Sequence, residues 1–180
     1  MPEADFRSNL RSARRGDEQA WRALYDWLAP QLLGYLRGSR IPDAEDVLGA
    51  VFIDVARGIG SFRGDATSFR AWVFTIARAR RVDEVRRWAR RREDPLDTGT
   101  QDALPAVVDV ESEALSAVAL DELYNILDVL TDDQREVLLL RALDGWTARQ
   151  VAEITGRTVG AVEQLQHRAR QSLREVLGEA

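Results

Sequence analysis

Residues 131–177 carry start and stop signals for three successive helices separated by two very short turns. Thr131 followed by Gln134 is a capping-box start, and Gly145 offers a left-handed stop after Leu143. Thr147 and Gln150 repeat the device at once. The helix they open has about two turns before Gly156 ends it, and Thr158 caps a third helix running toward Leu177. Short helix, tight turn, long helix is the unit that sets a recognition helix in a DNA major groove. Val151, Ala152, Val162 and Leu165 fall where two crossing helices touch, and Ala152 is small enough for their backbones to come close. A generic three-helix packing module has the same punctuation, so the rest of the chain has to decide between the two.

Charge is distributed unevenly along the chain. From Arg63 to Arg92 there are ten Arg against Asp65, Asp83 and Glu84, a net +7. From Glu93 to Asp133 there are twelve acids and no base. The overall charge of −5 conceals this asymmetry, which bears on partners more than the net value does. The basic block is a candidate polyanion surface. The acidic block reads as a solvated connector or as a cover for the basic surface when nucleic acid is absent. All 25 basic residues are Arg, which suits bidentate phosphate contacts but also follows from a GC-rich genome.

Several classes of function are disfavoured. Without cysteine there is neither a disulfide framework nor thiolate metal ligation, and a single His makes a metal cluster improbable. With no glycine-rich phosphate loop either, nothing resembles a catalytic constellation, so the chain is expected to be no enzyme and to carry no cofactor or metal. No apolar run approaches the roughly 20 residues that span a bilayer, and the N-terminus lacks the apolar segment of a signal peptide. No membrane insertion is expected, and the expected location is the cytoplasm.

From Asp5 to Trp88 the periodicity is helical, with no alternating strand pattern. Gly16 and Asp17 precede an amphipathic stretch containing Trp21, Leu24, Tyr25 and Leu28; Pro30 marks a kink or a new start. After a break over Gly38 to Pro42, Asp43 caps a helix whose face carries Val47, Leu48, Val51, Phe52 and Val55, ended by Gly58 and Gly60. Ser61 to Asp65 is a loop. A long basic helix follows, from about Thr67 to Arg92. At 100° per residue, Phe69, Trp72, Val73 and Ile76 face the core. Beyond Ala79 that side carries Arg80, Asp83 and Arg87, so the helix is expected to project past its own domain. The other side alternates Arg70, Phe74, Arg78, Arg81, Val85 and Trp88. Guanidinium groups bind phosphates and stack on bases, and aromatic rings are sequence-tolerant platforms for unpaired bases. The same pattern also fits a solvated Arg-rich face over buried aromatics.

The segment after Arg92, with Pro95, Gly99 and Pro105 among acids, has no period and reads as a linker. Ser112 then caps a helix whose Leu115, Val118, Leu123, Ile126, Leu127 and Leu130 face the C-terminal unit. The expected fold is all-α: two small helical domains, residues 1–92 and 113–180, joined by a flexible acidic linker over residues 93–112.

Taken together, these features resemble an extracytoplasmic-function sigma factor of bacterial RNA polymerase, of the sigma-70 family. The resemblance rests on Asp43 to Asp46 followed by Val51 and Phe52, on Ser61 to Asp65, on Phe69 to Arg78, on Asp83 with Arg86 and Arg87, and on Val159 to Val162 with His167 to Arg170. It covers nearly the whole chain as sigma regions 2 and 4. It implies a promoter-specificity subunit that binds core RNA polymerase, recognises the minus-thirty-five and minus-ten elements and helps open the duplex. It places Asp43, Glu45, Asp46, Val47 and Val51 against the β′ clamp helices, and Phe62, Arg63, Phe69, Trp72, Arg78 and Arg81 near the melted minus-ten strand. The C-terminal unit would touch the β flap and read the minus-thirty-five element through Arg149, Arg157, Thr158, Glu163, Gln164, His167 and Arg168. An anti-sigma factor is a further implied partner.

The chain departs from the family pattern in three places. Gly49 and Ala50 stand where Gln and an acid are usual, Ala79 replaces a common Asn beside the flipped-base pocket, and Glu163 takes the place of a DNA-facing Lys or Arg. A carboxylate is repelled by phosphates but accepts a hydrogen bond from a cytosine amino group, so Glu163 either alters promoter choice or weakens the reader. Two other readings remain: a dimeric helix-turn-helix regulator of duplex DNA, and a sigma mimic that sequesters an anti-sigma factor.

Overall fold

The computed structural model of this protein describes residues 1–41, 43–93, 126–143 and 145–178, the side chains of 89, 91–93 and 143 aside. Among the described residues are seven α-helices and no strand: α1 (Glu3–Ala13), α2 (Glu18–Gly38), α3 (Ala44–Gly58), α4 (Ala66–Glu93), α5 (Asp132–Leu143), α6 (Ala148–Thr155) and α7 (Val159–Leu177), with a 3₁₀ turn at Leu127–Val129. The linker over residues 93–112 and the helix expected to open at Ser112 lie outside the described residues except at their ends.

Helices α1 to α4 form one bundle. Asp17 caps α2 by accepting from the Ala20 N–H at 2.8 Å. Pro30 lies inside an unbroken α2 rather than starting a new helix. The carbonyl its ring deprives of a donor is that of Asp26; both residues are exposed, so water satisfies it. Asp43 occupies the N-cap position of α3 but makes no side-chain cap, contrary to the sequence expectation. Leu24, Leu28, Leu32, Tyr35 and Leu36 of α2, Val51 and Val55 of α3, and Phe69, Val73 and Ala77 of α4 make a dry core. Phe6 of α1 enters it against Phe69, with ring centroids 5.2 Å apart.

The C-terminal unit folds as its punctuation predicts. Thr131 and Gln134 exchange both capping-box hydrogen bonds, at 3.3 and 3.0 Å. Thr147 and Gln150 do the same for α6. Gly145 and Gly156 are left-handed at φ +64° and +69°, a conformation a side chain would strain. Val151 and Val162 are fully buried where α6 crosses α7, and Leu127 and Leu130 are buried beside them.

The two halves touch. Helix α5 packs on α2, and α6 packs on α4. A Cβ on Gly38 would stand 2.6 Å from Leu139 Cδ2, so the end of α2 and the Leu139 side chain of α5 meet with no room to spare.

The capping box on α6 is worth about 1 kcal/mol through its hydroxyl. Thr147→Ala should therefore lower unfolding stability by about that amount in a denaturant titration, while Thr147→Ser retains most of it. An unchanged midpoint for the Ala variant would show that α6 is held by packing alone.

Candidate nucleic-acid interface

Three surfaces carry the residues singled out from the sequence. The first is the start of α3. Asp43, Glu45 and Asp46 are exposed, whereas Val47 and Val51 point inward, Val51 with no accessible surface. Val51 therefore holds α3 in place from within, whereas Val47 keeps a small exposed edge. Arg37 pairs with Glu45, and the hydrogen bond it donates holds that carboxyl below its ordinary range. Asp43, Asp46, Val47 and Ala50 line a cleft closed on its other side by Arg80, Glu84 and Arg87 of α4. Gly49 is exposed with open space where a Cβ would be.

The second surface is the loop before α4. Phe62 stacks on Trp72, with centroids 5.3 Å apart and 30° between planes, and meets Phe69 edge-on at 5.1 Å. Phe69 is wholly buried. It supports the pair from beneath and does not reach the surface, as its core-facing place on the helical wheel expects. Phe62 and Trp72 are partly exposed and Arg63 is exposed. Trp72 is thus neither a pure core residue, as the helical wheel gives, nor free; Gly58 lets its ring lie against the α3 backbone, where a Cβ would come within 2.8 Å.

Residues that the motifs do not name hold this loop. Arg14, just after α1, donates to the carbonyls of Ile59 and Phe62. Glu3 reaches from α1 to accept the Ala66 N–H at 3.0 Å, and Asp65 accepts the Ser68 N–H at 2.7 Å. Two first-turn donors of α4 are thereby satisfied by carboxylates. Those backbone hydrogen bonds are the main cause holding both carboxyls below their ordinary values. No short-range pattern reports braces that span 45 to 63 residues of chain.

The third surface is α7. Thr158 accepts from the Ala161 N–H, and Glu163, Gln164, His167 and Arg168 are all exposed along one side, while Val162, Gln166 and Ala169 face inward. Arg149 is exposed and only loosely paired with Glu153 at 3.5 Å. Arg157 is partly buried and bonded to Asp133, so its guanidinium is directed back to α5.

The basic face of α4 differs most from expectation. Arg78 Nε, Arg81 Nη2 and the Tyr35 hydroxyl all donate to Glu136 Oε1 of α5, at 3.1, 2.8 and 3.0 Å. The Glu136 side chain has 0% exposure. Burial is the main cause that pushes the Tyr35 hydroxyl well above its ordinary range, with the Glu136 charge adding to it. Phe74 is buried against Trp146, edge-on at 5.6 Å, and the Arg70 guanidinium lies 4.1 Å over the Trp146 ring. Arg78 and Arg81 are therefore engaged within the protein, and the face is neither free for a strand nor merely solvated. Glu136 does leave a trace in the sequence: it shares a helical stripe with Leu140, a charge on an apolar face.

These three surfaces lie on one all-helical chain that ends in a helix-turn-helix. Sigma-70 region 2 matches residues 21–92 and sigma-70 region 4 matches residues 120–173. RNA polymerase sigma factor CarQ of Myxococcus xanthus is 31% identical over 172 residues, 92% of this chain and 94% of CarQ. ECF RNA polymerase sigma factor SigD of Mycobacterium tuberculosis is 29% identical over 167 residues, 89% of this chain and 78% of SigD. The sigma factor RpoE of Bartonella quintana, solved in complex with the anti-sigma factor NepR, shares the fold with a TM-score of 0.71 at 22% identity, over 88% of this chain and 96% of RpoE. The chain belongs to the sigma-70 family of RNA polymerase sigma factors, in its ECF class. No helix among the described residues is long and apolar enough to cross a membrane.

Two measurements check the bracing of the loop. Arg14→Ala should speed amide hydrogen exchange across Ser61 to Asp65 severalfold, and unchanged exchange would remove Arg14 from this role. Glu3 and Asp65 have lowered folded-state pKa values, so their contribution is fully present above the ordinary values of 4.5 and 3.8 and is lost as pH falls through the lowered ones. A Glu3→Gln, Asp65→Asn double variant should be less stable than the parent near neutrality and converge with it in strong acid. Parallel stability curves would contradict this.

Proposed function

We propose that this chain is a promoter-specificity subunit whose two halves divide DNA recognition, one reading duplex and the other holding a melted strand. The observation that carries the reading is that a helix-turn-helix with an exposed polar recognition face shares one chain with a braced aromatic loop and a basic helix. In this assignment Asp43, Glu45 and Asp46 meet the clamp helices of the polymerase β′ subunit. Phe62, Arg63 and Trp72 receive the minus-ten strand, with Arg78 and Arg81 joining them only after leaving Glu136. Arg149, Thr158, Glu163, Gln164, His167 and Arg168 face the minus-thirty-five element, with Arg157 at its edge, and the C-terminal unit meets the β flap. The work is binding alone: Arg contacts release counterions, and capture of unpaired bases draws the duplex open. The chain acts in the cytoplasm, catalyses no reaction, and is a target for an anti-sigma protein, as RpoE is in its complex with NepR.

In vitro transcription with core polymerase tests this. Promoter-specific transcripts should appear only when the chain is added. Specific duplex binding without polymerase, and no transcripts with it, would point instead to a dimeric helix-turn-helix regulator. Two substitutions refine the test. Gly49 meets nothing within 4 Å of an added Cβ, so Gly49→Gln is sterically free, removes a helix-interior glycine worth about 1 kcal/mol, and should tighten core binding. Glu163→Arg should change promoter preference and steepen the dependence of log affinity on log salt by about one unit. If it alters neither, Glu163 does not face DNA.

A further inference from the structure

We propose that the Arg70, Phe74, Arg78 and Arg81 face of α4 is an interaction surface with two mutually exclusive occupants: the chain's own Glu136 and Trp146, and an unpaired nucleic-acid strand. The second occupant rests on the sigma-factor reading above; the first is in place. Glu136 supplies an anion to Arg78 and Arg81, and Trp146, 1% exposed, supplies a flat ring beneath the Arg70 guanidinium and against Phe74. An anion beside a stacked ring is the chemistry of a nucleotide, with its phosphate and base. Guanidinium pairs and aromatic platforms bind both kinds of ligand by the same contacts. A strand therefore cannot take this face until the C-terminal unit leaves it.

The closed contact is also built to open. Among the described residues, Glu136 Oε2, Arg81 Nε and Trp146 Nε1 are buried without a hydrogen-bond partner. A permanent core satisfies nearly all such groups. Other cross-contacts among the described residues include an Arg40–Asp128 pair at the surface and the apposition of Gly38 and Leu139, where α5 packs on α2. Residues 94–125 connect the halves, so separating them breaks no covalent continuity.

The chain has no cysteine, which makes a single engineered disulfide clean to interpret. In the full chain, Gly38→Cys with Leu139→Cys places two thiols across the contact, where a Cβ on residue 38 would already meet residue 139. The probe is a short fluorescent single-stranded DNA of mixed sequence at low salt. The oxidised protein should bind it at least about tenfold more weakly than the same protein after reduction. Glu136→Gln, in the absence of the disulfide, should bind it about tenfold more tightly than the parent, a gain that loss of a merely structural contact would not produce. Equal affinity of the oxidised and reduced forms overturns the proposal. So does failure of both forms to bind the probe when the reduced form supports transcription with core polymerase, which would leave the sigma-factor reading intact. If the disulfide blocks strand binding in a chain that core polymerase never uses, the competition stands and the sigma-factor reading falls.

Discussion

Burying a carboxylate costs several kcal/mol unless cations and hydrogen-bond donors replace its water. Glu136 meets that condition at one oxygen, Oε1, through groups contributed entirely by the other half of the chain, Arg78 and Arg81 from α4 and Tyr35 from α2, while Oε2 is left without a partner. Neither half is satisfied alone in this arrangement. Pulled apart, Glu136 regains water, and so do two Arg whose delocalised cations tolerate hydration and phosphate equally well. The contact thus couples the spacing of the two halves to the availability of the basic face. A hydrophobic pair of similar volume would hold the halves together without offering anything for a polyanion to exchange.

A second constraint lies at the opposite end of α4. The loop from Ser61 to Asp65 is not shaped by its own residues alone. Gly64, at φ +154°, lies under the Phe62 ring and Ser68, where an added Cβ would come within 2.9 Å of each. Arg14 and Glu3 then fasten the loop's carbonyls and the first donors of α4 from outside. Both braces belong to α1 or its end, before the matched region 2 segment begins at residue 21. A stacked Phe62 and Trp72 pair held this way loses little side-chain freedom on meeting a base, which is how a small aromatic platform keeps affinity.

What was legible in the sequence was local. Capping boxes at Thr131 and Thr147, the Thr158 cap and the glycine stops at 145 and 156 act within one helical turn, and all form as read. The apolar stripes of α2 and α3 follow from periodicity for the same reason. Of the two outcomes open at Pro30, a kink or a new start, the new start does not occur: α2 runs on through it, with Asp26 and Pro30 both exposed. Val51 and Phe69 lie on the sides that periodicity assigns to the core and both are buried, although their motif positions also suggest contact with a partner. The Arg78, Arg81 and Glu136 cluster spans 55 to 58 residues, and no periodicity reports a pairing of that range.

The closed arrangement treats the two recognition surfaces differently. Helix α6 is committed to α4, and Trp146 just before it is buried there, but Glu163, Gln164, His167 and Arg168 remain exposed along α7. On the reading proposed above, duplex contact through α7 would need no rearrangement of the C-terminal unit, whereas strand contact at α4 would need Glu136 and Trp146 to withdraw. Any event that draws the C-terminal unit toward duplex or toward a protein partner lowers the effective concentration of Glu136 at α4 from that of a tethered neighbour to that of a distant one. On the proposals above, the geometry lets engagement of α7 come before exposure of Arg78 and Arg81.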